Sequence, residues 1–126
     1  MKNEITTYFV IYGIFDTIEV IKQIDIPYDE ICEEHGIINI YYNKKKTVDV
    51  DLGELLRDVI SPFLNKIDLL KKFREECDYI GFRIVQYGYI YLNEGKEEKN
   101  ISSDIMNFMN VTGTHHIYDP HLFTDD

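Results

Sequence analysis

The hydrophobic pattern of the chain changes period several times, and each change predicts an element. Ile5-Thr6-Thr7-Tyr8-Phe9-Val10-Ile11-Tyr12 is β-branched and aromatic throughout and stops at Gly13, which predicts a strand. Asp16 is a good N-cap, and Glu19 completes the capping-box spacing. The helix it opens is expected to turn Ile18, Ile21 and Val20 inward and to end before Pro27. Tyr28 to Glu34 reads as a turn of helix or an irregular loop. Gly36 then opens a second strand, Ile37 to Tyr42. Asn43-Lys44-Lys45-Lys46 reads as a turn, and Thr47 to Val50 extends the sheet.

Leu52, Leu55, Leu56, Val59, Ile60 and Phe63 follow helical spacing. Ser61-Pro62 breaks that run, so two helices or a sharp kink are expected, the second carrying Ile67, Leu70, Phe73 and Cys77 on one side. Tyr79 to Leu92 is a long strand or a hairpin, with Gly88 as a bulge or turn. Asn93 to Lys99 is a polar loop. Ser102 or Ser103 caps a last helix with Ile105, Phe108 and Met109 as its stripe, and Gly113 ends it. His115 to Tyr118 makes a short closing strand, and 119–126 is expected to be a loose tail.

Strands and helices in this mixed order predict one α+β domain spanning 1–126. Its expected architecture is a two-layer sandwich, with a mixed or mainly antiparallel sheet of about four to five strands and helices packed on one face. Composition adds little to that. The chain has no Trp and no Ala but ten Tyr, a bias that an AT-rich bacterial genome would produce. The net charge of −10 does change the picture. It disfavours nucleic acid, whose binders cluster Lys and Arg, and it disfavours anionic membrane surfaces. A basic protein is the partner it suits. No signal peptide is expected from Met1-Lys2-Asn3-Glu4, and no apolar run reaches the length of a membrane span. The chain is read as cytoplasmic, with Cys32 and Cys77 reduced and buried or half-buried.

The candidate chemistry is sparse. His115, His116, His121 and Asp119 are the nearest approach to a metal cluster, but adjacent strand residues point to opposite faces. Cys32 and His35 make too few ligands for structural zinc. No nucleophile elbow and no phosphate-binding glycine loop occurs. No cofactor or metal is expected, and the reading leans away from an enzyme. Tyr87, Tyr89 and Tyr91 alternate along one strand and would pack on the helix layer or cover an exposed sheet face. Asp25, Asp29, Glu30, Glu33 and Glu34 form the densest acidic stretch. They lack the spacing of a calcium loop, so they read as a solvated face or, functionally, as the patch that meets a partner.

Tyr8-Phe9-Val10-Ile11-Tyr12-Gly13, then Asp16-Thr17-Ile18-Glu19, then Ile24-Asp25-Ile26-Pro27 resemble the start of the bacterial domain-of-unknown-function family 4279. The helical pair from Asp51 to Glu76, the late helix Ile101-Ser102-Ser103-Asp104-Ile105-Met106-Asn107-Phe108 and His116-Ile117-Tyr118 carry the resemblance on through most of the chain. The chain departs from the family after Glu34-His35-Gly36, where Ile37 stands and members often have a tryptophan. The resemblance implies a fold and no activity. Size and charge are similar to those of immunity proteins of toxin systems, an analogy and not a motif. Three readings follow. The first is a binding module for a basic protein, including an immunity-type protein against a basic toxin. The second is a small-molecule binder or enzyme with a pocket between sheet and helices near His35, Tyr87 or His115. The third is a homodimer through an open sheet edge or the tyrosine-rich face.

Overall fold

The computed structural model describes residues 4–48, 52–91 and 101–123. Strand β1 (Glu4–Gly13) leads into helix α1 (Thr17–Ile24), followed by β2 (Glu30–Glu34) and β3 (Ile37–Val48). Helix α2 (Leu52–Ile60) passes through a 3₁₀ segment (Ser61–Lys66) into α3 (Ile67–Glu76). Strand β4 (Ile80–Tyr91), helix α4 (Ser103–Thr112) and β5 (His115–Phe123) complete the order. The five strands form one sheet in the order β2-β3-β1-β4-β5. All neighbours are antiparallel except β4 and β5, which run parallel. A parallel neighbour needs a crossover, and α4 lies within it.

The α+β sandwich is as expected, with the helices packed on one face. Along β1, Phe9 and Ile11 are fully buried and point at the helices. They meet Ile40 and Tyr42 of β3, Phe82 and Ile84 of β4, and the inward stripes Val20 and Ile24, Leu56, Val59 and Ile60, Leu70 and Phe73, and Ile105 and Phe108. Proline at the start of the 3₁₀ segment explains the break after Ile60, and Phe63 within it stays fully buried.

Several elements differ from expectation. Glu30–Glu34 is a strand and not a loop or a turn of helix. His35 and Gly36 both have positive φ, 54° and 79°, which makes the tight two-residue turn that joins antiparallel strands. Asn43 to Lys46 is no turn, because β3 continues through it. The register jumps there: Phe9 pairs with Tyr42 and Thr7 with Lys45, so Asn43 and Lys44 together oppose Tyr8. Asn43 adopts φ 54° at this bulge and donates from Nδ2 to the carbonyls of Asp58 and Val59, both at 3.0 Å. It thereby caps the end of α2. Of the two readings of Tyr79 to Leu92, a long strand and a hairpin, the strand is the one found: β4 runs on through Gly88. The closing strand does not stop at Tyr118. Pairing with β4 carries it to Phe123, so the first residues of the expected loose tail are sheet. The polar loop at 93–99 lies outside the described residues.

The α1 prediction is corrected in one residue. Val20 and Ile24 are buried, but Ile18 is 78 % exposed, because it lies on the other side of a 3.6-residue helix. The Asp16 side chain caps this helix by accepting from the Glu19 N–H at 3.2 Å. Asp16→Ala should cost about 1 kcal/mol, read as a drop in urea midpoint with an unchanged slope.

Candidate functional site

Strand alternation divides every residue of the sheet between two faces. One face carries the core. The other is not covered by any helix among the described residues, and the antiparallel register shows what it displays. Central β1 contributes Tyr8, Val10 and Tyr12. On β3, Tyr41 lies opposite Val10 and Asn39 opposite Tyr12, and on β4 Val85 lies opposite Tyr8 and Arg83 opposite Val10. Tyr87 and Tyr89 share this face and remain 41 % and 47 % exposed.

Tyr8 is the centre of an aromatic group. Its ring lies 5.4 Å from that of Tyr41 at 68° and 6.2 Å from that of Tyr87 at 74°, both edge-to-face. Such pairs contribute about 0.5–1.5 kcal/mol beyond their area. Nearby, the Arg83 guanidinium sits 3.9 Å from the centre of the Tyr12 ring. Burial pushes the Tyr8 phenol up, reinforced by Tyr41 and Tyr87 and opposed by Arg83. Burial also pushes up Tyr41, with Cys32, Glu30 and Glu34 adding to the effect. Both rings therefore stay neutral at physiological pH.

The five acids of the candidate patch are all exposed but do not form one cluster. Asp25 is the left-handed C-cap of α1, φ 53°. Asp29 is held in place: its N–H donates to the Tyr41 carbonyl at 2.8 Å, and its carboxylate accepts the Lys44 N–H at 2.7 Å. Glu30 and Glu34 pair with Tyr41 and Ile37 and lie on the open face. Glu33 pairs with Ile38 and lies on the opposite side. A cavity of about 120 Å³ on the open face brings together Tyr8, Tyr41 and Tyr87 with Asp29, Glu30 and Lys44. Tyr8, Tyr12 and Tyr41 lie outside the two stretches that stand out in the sequence, Asp25 to Glu34 and Tyr87 to Tyr91. Their signal in the sequence is the alternation Tyr8, Val10, Tyr12 along the first strand.

A second, more apolar depression of about 270 Å³ lies at the end of the sheet, lined among others by Tyr12, Ile14, Ile37 and Tyr79. Tyr12 and Ile37 belong to both regions, so the open face runs into it.

The histidines do not converge. His115 is exposed, whereas His116 turns to the helix side and reaches Gln86 Oε1 at 2.7 Å. Gln86 donates in turn to Thr7 Oγ1 at 3.2 Å. Among the described residues no three His, Cys, Asp or Glu side chains converge on one point. Cys32 is exposed and neither buried nor half-buried, because nothing among the described residues covers edge strand β2. Cys77 is half-buried and donates its thiol to the Ile14 carbonyl at 3.4 Å. No family model, curated protein or solved structure matches this chain.

Proposed function

We propose that the chain is a protein-binding module that meets a basic partner with the open face of its sheet. The carrying observation is that this face, uncovered among the described residues, sets Tyr8, Tyr41 and Tyr87 beside Asp29 and Glu30. Tyrosine is enriched where partners bury an interface, since it brings area and a polar tip at low entropic cost. Carboxylates at the rim steer a basic partner and make association salt-sensitive. Neutralisation of a basic toxin is the narrower form of this reading.

The layer between sheet and helices supports a pocket there less well. Phe9, Tyr42, Phe63, Phe82 and Phe108 fill it. His35, Tyr87 and His115 all lie away from it. Pairing of two copies along β2 is also disfavoured, since Glu30, Glu33 and Glu34 would bring like charges together.

The test is capture from the native host with the tagged chain. A basic protein should be retained at about 0.1 M salt and released near 1 M, where screening shortens from about 10 Å to about 3 Å. Glu30→Lys with Glu34→Lys should abolish retention, and Glu33→Lys, on the other side of the strand, should keep it. Retention indifferent to salt and to both reversals would refute the proposal. If the captured protein is toxic when expressed alone, co-expression should restore growth, and the double reversal should remove that protection.

A further inference from the structure

We propose that the cavity walled by Tyr8, Tyr41 and Tyr87 is a cage for an organic cation, the guanidinium or ammonium head of a basic side chain on the partner. This rests on the protein-binding reading and names the chemistry of its central contact.

The geometry favours a cation. Tyr41 and Tyr87 both stand steeply to Tyr8, at 68° and 74°, so the three rings do not stack face to face, and all three line the cavity. The face of a phenol ring is its negative side and attracts cations. The same sheet face already shows this preference, with Arg83 placed over Tyr12 at 3.9 Å.

Asp29 and Glu30 supply the charge that the rings lack, and Asp29 is fixed by its bond from the Lys44 N–H. An anion would meet two carboxylates. A neutral ligand would desolvate them without compensation. A small hard cation such as Ca²⁺ is held mainly by several carboxylate and carbonyl oxygens, and among the described residues no three His, Cys, Asp or Glu side chains converge on one point.

The volume agrees. About 120 Å³ is well above the space one water needs and admits one compact head group. Lys44 provides the one positive charge among the residues lining the cavity and is the natural competitor for it.

The experiment titrates the full chain with N-acetyl-arginine methylamide and, separately, with tetramethylammonium chloride, following tyrosine ring resonances by NMR at constant ionic strength. Saturable shifts are expected at Tyr8, Tyr41 and Tyr87 and not at Tyr28 or Tyr79, which lie elsewhere. Tyr87→Leu and Glu30→Gln should each weaken binding about three- to tenfold, and Lys44→Met should tighten it. Tyr87 is 41 % exposed, so its variant should keep the fold with a slightly lower melting temperature, and Glu30→Gln gives an independent readout.

Shifts that fail to saturate, match those from added NaCl or spread over all tyrosines would overturn the cage. Tighter binding of tetramethylammonium than of the arginine analogue would overturn its assignment to a partner's side chain and identify a free quaternary ammonium ligand. If neither cation binds but capture still depends on Glu30 and Glu34, the cage fails and the binding surface stands. If the arginine analogue binds and no protein is captured, the binding reading fails and the cage loses the partner assigned to it.

Discussion

Phe9→Ala should lower the unfolding free energy by about 3–5 kcal/mol. Phe9 is fully buried on β1, the central strand, with sheet neighbours on both sides. Its ring meets Phe63 at 4.4 Å, Phe82 at 6.1 Å and Phe108 at 6.2 Å. Those partners come from the 3₁₀ segment, β4 and α4, so the truncation loosens three elements together. The cavity cannot collapse cheaply, because backbone pairing to β3 and β4 pins the strand. A domain of this size has about 5–15 kcal/mol in total, so the variant should sit near the limit of folding. Urea unfolding followed by circular dichroism measures it. Tyr79→Ala, at a site 69 % exposed, is the control and should change stability by no more than about 0.5 kcal/mol. A loss below about 1.5 kcal/mol for Phe9→Ala would mean that this core repacks as the described aromatic network does not allow.

The reach of the sequence is uneven, and the reason is locality. The capped start of α1, the proline break after Ile60 and the glycine end of α4 are each specified by residues a few positions apart, and all three are legible. Strand β2 is not, because Glu-Ile-Cys-Glu-Glu has the composition of a solvated loop. It becomes a strand only by pairing with β3 through His35-Gly36. The Lys-rich stretch of β3 reads as a turn for the same reason, since its bulge is set by Thr7 and Phe9 on another strand. Residues past Tyr118 read as a tail because their partner, β4, is distant in sequence and parallel. The site follows suit. Acidic density is visible along the chain, but alternation separates Glu33 from Glu30 and Glu34. The meeting of Tyr8 with Tyr41 and Tyr87 depends on register across three strands. No local pattern encodes it.

Alkaline pH should expose a second weak point, the Tyr42 phenol. Tyr42 is fully buried, and its hydroxyl has no hydrogen-bond partner among the described residues. Burial, with a smaller contribution from Tyr28, pushes its pKa up to about 12 from an ordinary 10.0. A raised folded pKa means that the neutral form is favoured in the native state. Below pH 10 both states keep the proton, and the full stability is present. Between pH 10 and 12 the unfolded chain ionises first, so stability falls as pH rises through that window. Two pKa units correspond to a loss on the order of 2–3 kcal/mol. Tyr42→Phe removes both effects. At neutral pH it should be more stable by about 1 kcal/mol, since an unpaired buried hydroxyl no longer has to be desolvated. Between about pH 10 and 12 its advantage should widen by the further 2–3 kcal/mol. Tyr8 and Tyr41, whose phenols are also pushed up, titrate in both proteins and cancel in the difference. Urea midpoints of the pair across this range decide the matter. A gap that stays constant with pH would show that Tyr42 finds a partner for its hydroxyl or reaches water, and the core around Phe63, whose ring lies 5.4 Å away, would have to open to allow it.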